Sequence, residues 1–116
     1  MNIGIDLVQV SRFKKLITNK TFINNNFTEN EIMYIESRNN NISTIAGLYA
    51  SKEAFLKSIK KGINNYSLKD IEISHDANNA PFIIIHNQLL NMFRDKKIDL
   101  SISHDGDFAT AIVIVF

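Results

Sequence analysis

Two carboxylates in this chain have types and neighbours suited to chemistry. Asp6 ends the run Asn2-Ile3-Gly4-Ile5-Asp6, and Glu53 lies within Ala50-Ser51-Lys52-Glu53-Ala54-Phe55-Leu56-Lys57. A strand-end Asp and a helix-borne Glu can share one Mg²⁺, which takes one or two carboxylates and leaves its other positions to water and substrate phosphate. Lys52, Lys57, Lys60 and Lys61 against Glu53 give segment 52–61 a local charge of +3, which fits a polyphosphate partner.

Each of these residues also has an ordinary role. Asp6-Leu7-Val8-Gln9 fits a helix capping box, with the carboxylate accepting from backbone N–H groups. Glu53 and Lys57 form an i, i+4 pair in the favourable order, worth ~0.3–0.5 kcal/mol on a helix surface. Two details favour a site. Ala46 and Ala50 share the face of Glu53 and Lys57, leaving a small flank open to a ligand, and Lys52 points into the apolar stripe, where a charge is costly unless paired. Ile-Ser-His-Asp occurs twice, at 73–76 and 102–105. Ser103 and His104 are neighbours on a strand and face opposite ways, which argues against a Ser–His nucleophile pair. Arg12, with Lys14 and Lys15, reads from the residues alone as a solvated basic face.

The elements that must position these groups can be read from periodicity. Ile3, Ile5 and Leu7 alternate with Asn2, Gly4 and Asp6, which predicts a first strand with one apolar face. Leu7, Val10, Phe13 and Ile17 then recur at helical spacing, and Thr28-Glu29-Asn30-Glu31 is a capping box opening a helix toward Arg38. A longer helix spans about 43–61, with Ile45, Leu48, Tyr49, Phe55, Leu56 and Ile59 on one stripe. Strands follow at 71–74, 82–85, 98–103 and 109–116, with a short helix over 87–94. Asp76-Ala77-Asn78-Asn79 and Asp105-Gly106 supply the turns. Asparagine clusters at 24–26, 39–41, 64–65 and 78–79 mark loops, because Asn tolerates left-handed backbone. Helices followed by hairpin-linked strands predict an α+β fold, a small mixed helix and antiparallel-sheet domain. The strand 109–116 is apolar on both faces, which points to a subunit contact and an oligomer.

With 116 residues the chain makes one domain, 1–116, with a modest core. The net charge of +1 argues against a nucleic-acid binder. Absence of cysteine removes disulfides and thiolate chemistry. No apolar run reaches spanning length and Asp6 interrupts the N-terminal segment, so the expectation is no membrane, no signal peptide and a cytoplasmic protein.

Taken together, Gly4-Ile5-Asp6, Val10-Ser11-Arg12-Phe13, Ala46-Gly47 with Lys52-Glu53-Ala54-Phe55 and Lys57, and Ser101-Ile102-Ser103-His104 form an ordered set. Thr28 with Glu31, Asp70-Ile71 and Pro81 fall in register between them. Over nearly its whole length the chain resembles the holo-acyl-carrier-protein synthases, small phosphopantetheinyl transferases. The resemblance implies transfer of 4′-phosphopantetheine from coenzyme A to a serine of apo-acyl carrier protein, releasing adenosine 3′,5′-bisphosphate, in support of fatty acid biosynthesis. It implies Mg²⁺ on Asp6 and Glu53, and catalytic roles for Glu53, Lys57 and His104. Lys57 would stabilise or protonate the leaving phosphate. The general base stays open between Glu53 and a water held by the metal. Lys52, Lys60, Lys61, Gly62, Pro81 and Ser103 would contact coenzyme A, and Arg12 an acidic helix of the carrier protein. A homotrimer with sites between subunits is also implied. The family motif fits only the second Ile-Ser-His-Asp copy, so His75 is expected to be incidental. Two departures stand out: Leu48 where the family usually has Arg, and Lys60-Lys61-Gly62 where it usually has Gly-Thr-Gly. The alternatives are a Mg²⁺-dependent phosphohydrolase or nucleotide-binding enzyme, and a non-catalytic carrier-protein binder.

Overall fold

The computed structural model of the chain describes residues 1–60 and 65–116. The first strand, β1 (Asn2–Gln9), pairs antiparallel with the last, β5 (Phe108–Val115), which pairs in turn with β4 (Ile98–Asp105), in the order β1-β5-β4. Gly4, Asp6 and Val8 stand opposite Val113, Ala111 and Ala109, which face Leu100, Ile102 and His104 on the other side. These rows form the inner side of the sheet. The alternation in β1 is as expected, but its apolar face turns outward: Ile3, Ile5 and Leu7 are 61–64 % exposed. Ile112 and Ile114, both half-buried, share that outer side.

The inner side is covered by α4 (Ile42–Ser58), whose Asn41 cap accepts from the Ser43 amide. Ala46, Ala50 and Ala54 are completely buried, so their small size serves close packing of the helix and leaves no open flank for a ligand. The tightest point is Gly4. A Cβ there would overlap the Ala54 carbonyl oxygen and stand 2.5 Å from the Ser58 amide nitrogen. Glycine is required because helix backbone lies directly on strand backbone.

After β1 the chain makes one 3₁₀ turn (Val10–Arg12) and a short α1 (Phe13–Leu16). Asp107, in the β4–β5 turn, holds this corner: its backbone carbonyl accepts from the Val10 amide, and its carboxylate takes the Ser11 amide and hydroxyl at 2.9 and 2.8 Å. Asn24-Asn25-Asn26 is not a loop. It ends α2 (Lys20–Asn26), which Asn19 caps and Phe22 anchors among Phe13, Phe27 and Tyr49. The capping box at Thr28 opens α3 (Glu29–Ser37) as expected. Asn39, Asn40 and Asn79 take the left-handed backbone assigned to their clusters. Asn64 lies outside the described residues.

A 3₁₀ turn (Leu68–Asp70) leads into β2 (Ile71–His75), which pairs with β3 (Pro81–Ile85) as a separate hairpin; α5 (Asn87–Phe93) then returns the chain to β4. Glu72 on β2 accepts from the Thr28 hydroxyl at 2.7 Å and pairs with His86 Nε2 at 2.9 Å. Burial pushes the Glu72 carboxyl up, but the hydrogen bonds from Thr28 and His86 outweigh it and hold it below its ordinary value.

Gly4→Ala is expected to force α4 off β1 and lower stability by ~1–3 kcal/mol, the usual cost of overpacking. Urea denaturation would measure it, and an unchanged midpoint would show that helix and strand are not locked at this point.

Candidate active site

Asp6 sits in the middle of β1 and caps no helix; the residue before the first helical turn is Gln9. Its carboxylate is almost fully buried under α4. Oδ1 accepts from Lys57 Nζ at 2.8 Å, and Oδ2 is buried without a hydrogen-bond partner. Glu53 lies one helical turn before Lys57, so α4 presents Glu53 and Lys57 on the face that meets Asp6. Tyr49 is one further turn back. Burial and the Glu53 carboxylate push its phenol up, against a weaker pull from Arg12. The Arg12 guanidinium rests on the rings of Phe13 and Tyr49, at 5.6 and 5.7 Å. Arg12, Tyr49, Glu53, Lys57 and Asp6 thus form one continuous neighbourhood.

His104 belongs elsewhere. Its Nε2 lies 2.9 Å from the Ser43 carbonyl oxygen, at the opposite end of α4, and its ring lies over Gly47, where an added Cβ would meet Nε2 at 3.0 Å. Gly47 and Lys57 are ten residues apart on one helix, about 15 Å at 1.5 Å per residue. Within one chain, therefore, His104 does not join the Asp6–Lys57 group. It lines a cavity of about 100 Å³ with Tyr34, Thr44, Gly47, Leu48, Ile102 and His75. Both Ile-Ser-His-Asp copies thus deliver their histidines to the same cavity.

The remaining candidates divide. Lys52 is fully buried and donates to Glu31 Oε1 at 2.6 Å and to the Leu68 and Ile71 carbonyl oxygens at 2.8 and 2.9 Å. It cannot meet a phosphate, and its assignment as a coenzyme contact is corrected. The stripe position that made it suspicious is explained by Glu31, whose Oε2 also accepts from the Ile73 amide. Burial pushes Glu31 up and Lys52 down, and the full set of partners keeps the charges compensated. Lys60 is exposed and adopts φ 60°, the left-handed backbone that glycine takes most readily. Lys61 and Gly62 lie outside the described residues. Pro81 is the register partner of His75, and Ser103 is exposed on the outer side of the sheet, away from His104.

Comparison with known proteins places this arrangement. The family model described as the 4′-phosphopantetheinyl transferase superfamily matches residues 2–113. The chain belongs to this superfamily. Curated members similar to it include the holo-(acyl-carrier-protein) synthase of Caldicellulosiruptor saccharolyticus, 42% identical over 97% of this chain and 94% of that protein. The corresponding protein of Fusobacterium nucleatum is 35% identical over 99% and 98%. Among solved structures, Helicobacter pylori holo-(acyl-carrier-protein) synthase in complex with coenzyme A superposes with a TM-score of 0.86. It is 35% identical, over 98% of this chain and 99% of that one.

The residues present fit the Mg²⁺ expected of this superfamily. A buried carboxylate oxygen without a partner, as at Asp6 Oδ2, is costly and asks for a cation or donor. Among the described residues no three His, Cys, Asp or Glu side chains gather to hold a metal by themselves. Asp6 and Glu53 with water and substrate oxygens match the sparse protein ligation that Mg²⁺ accepts.

Asp6→Asn and Lys52→Met should therefore fail differently. Asp6→Asn should abolish Mn²⁺ binding, followed by paramagnetic resonance, and leave the melting temperature nearly unchanged, because Lys57 is half exposed and its pair contributes little. Lys52→Met strands a buried Glu31 and should cost ~3–5 kcal/mol. Metal binding retained by folded Asp6→Asn would remove Asp6 from the ligand set.

Proposed function

We propose that this chain is a holo-acyl-carrier-protein synthase, moving the 4′-phosphopantetheine arm from coenzyme A to a serine of apo-acyl carrier protein in the cytoplasm, in support of fatty acid biosynthesis. The observation that carries it is the buried Asp6 carboxylate, one oxygen on Lys57 and the other unpartnered, facing the helix that bears Glu53. Mg²⁺ held by Asp6 and Glu53 would neutralise charge on the pyrophosphate oxygens. The serine oxygen forms a bond to the phosphorus carrying the pantetheine arm. The bond from that phosphorus to the bridging oxygen breaks, and adenosine 3′,5′-bisphosphate leaves with that oxygen. The serine proton would pass to Glu53, directly or through a water, and the Lys57 ammonium would stabilise the charge growing on the leaving group. Arg12 borders this group, exposed at the end of the 3₁₀ turn that precedes α1, where an acidic carrier-protein helix would dock.

The separation of His104 from Asp6 within one chain favours sites shared between copies. Ile3, Ile5 and Leu7, exposed beside Ile112 and Ile114, supply an apolar sheet face of the kind that subunits cover. A closed homotrimer, the assembly that the family resemblance implies, would bring the Asp6–Glu53–Lys57 group of one subunit to the His104 cavity of the next.

Mass spectrometry of apo-acyl carrier protein incubated with this chain, coenzyme A and Mg²⁺ tests the reaction. One phosphopantetheinyl group should be added to serine, whereas release of free phosphopantetheine alone would identify a hydrolase. Mixing tests the shared site. Asp6→Asn subunits, inactive alone, and His104→Ala subunits, markedly slowed alone, should regain about a quarter of wild-type activity when reassembled at equal amounts, because mixed rings contain intact composite sites. Activity from a 13.2 kDa monomer in light scattering would rule the shared site out.

Arg12→Glu should weaken carrier-protein binding strongly and coenzyme A binding little. The difference should shrink as salt rises, since exposed charge contacts are screened over ~8 Å at physiological ionic strength. Equal losses for both substrates would move Arg12 into the nucleotide site.

A further inference from the structure

Arg12 stands at the end of a corner that is fastened on both sides. Behind it, the pairing of β1 with β5 runs as far as Gln9 opposite Phe108, and the Val10 amide extends it by donating to the Asp107 carbonyl oxygen at 2.8 Å. The backbone ladder stops there. Ahead of it, Phe13 is completely buried and pins the start of α1 to the core. Between these anchors lies Ser11, held by a side chain from the other end of the chain. Its amide donates to Asp107 Oδ1 at 2.9 Å and its hydroxyl to Oδ2 at 2.8 Å. Gln9, the residue placed to cap the 3₁₀ turn, gives it no side-chain hydrogen bond. Asp107 does so from 96 positions away from Ser11.

We propose that Asp107 is a positioning residue for carrier-protein docking, whose carboxylate holds Ser11 and so fixes the backbone that presents Arg12. The proposal rests on Arg12 meeting the carrier protein. Among the described residues Arg12 joins no ion pair, and its guanidinium lies over the rings of Phe13 and Tyr49, which leaves its charge available to a partner. A long side chain already held in its bound position loses less freedom on docking. The clamp also registers the docked protein against the reacting groups, because β5, which begins just after Asp107, pairs with β1 through the Asp6–Ala111 row. By charge alone an acid beside Arg12, Lys14 and Lys15 would repel an acidic partner. With both oxygens on Ser11, Asp107 has the opposite effect.

These two effects differ in sign, so calorimetric binding of apo-acyl carrier protein and of coenzyme A separates them. Asp107→Ala should bind the carrier protein about tenfold more weakly, the upper end of what ordering one long side chain costs. Coenzyme A binding should be unchanged, and the KM for carrier protein should rise with little change in kcat. Asp107→Asn keeps an acceptor for the Ser11 amide and should recover most of the loss. In an Arg12→Ala background Asp107→Ala should weaken binding no further, because it acts through Arg12. Carrier-protein binding by Asp107→Ala that equals or exceeds that of the wild type, equal losses for both substrates, or additive losses with Arg12→Ala each overturn the proposal. If Asp107→Ala does not fold, Ser11→Ala, which removes the hydroxyl bond alone, decides by the same comparison, with about a threefold loss expected and none overturning the proposal. An Arg12→Glu variant that binds carrier protein like the wild type overturns the docking reading itself, and this proposal with it.

Discussion

The contact between Gly4 and the backbone of α4 is the constraint from which the active-site geometry follows. Because no side chain separates strand from helix, the helix axis is fixed at β1, and buried alanines at 46, 50 and 54 let the rest of α4 lie equally low. Two residues along the strand, Asp6 is then pressed beneath the last turns of the helix, where Lys57 can reach it. A larger residue at position 4 would lift the helix and leave Asp6 in water, where it would be an ordinary surface carboxylate. Packing density in the sheet–helix layer thus sets the chemical character of the site.

Lys52 and Glu53 show how one step along a helix separates structure from chemistry. A rotation of 100° carries Lys52 into the core, where Glu31 and two carbonyl oxygens compensate its charge, while Glu53 stays half-buried beside Asp6's end of the helix. The Lys52–Glu31 pair ties α4 to α3, and Glu31 in turn holds Thr28 and the Ile73 amide. A pair buried this deeply is costly to break and contributes little over an apolar substitute, so its value is in specifying one register among α3, α4 and β2. That register also brings Tyr34 and His75 into line with His104.

Much of this was legible in the residues, and the failures have identifiable causes. The capping box at Thr28, the turn at Asp105-Gly106 and the left-handed asparagines depend on local backbone preferences, which a sequence displays directly. The helix Lys20–Asn26 does not: six of its seven residues, all but Lys20, are poor helix formers, and it is held by Phe22 packing among Phe13, Phe27 and Tyr49. Alternation in Asn2–Leu7 revealed two faces of a strand but not which one meets the core, and the glycine and aspartate face does. The role of Asp6 was ambiguous for the same reason. A capping box and a mid-strand ligand share one local pattern, and only the strand continuing to Gln9 separates them. The two Ile-Ser-His-Asp copies are locally identical, and what separates His75 from His104 is the partner across space, the Tyr34 ring on which His75 stacks, forty-one positions away.

The length of α4 bears on the shared site proposed above. Seventeen helical residues span about 25 Å, nearly the full depth of a molecule measuring 36 × 30 × 27 Å. The groups held near its two ends, Lys57 with Asp6 and the His104 ring over Gly47, therefore stand about 15 Å apart along the helix within one chain. In the closed oligomer proposed above, a second copy would bring the His104 end of its own helix to the Asp6–Lys57 group. It would also cover Ile3, Ile5 and Leu7, which are exposed on the outer side of the sheet. The outward apolar face and the separation of His104 from Asp6 are therefore two consequences of one layout. A single long helix clamped to a three-stranded sheet at Gly4 leaves Asp6 with Lys57 at one end of the helix, His104 at the other, and oily side chains on the other side of the sheet.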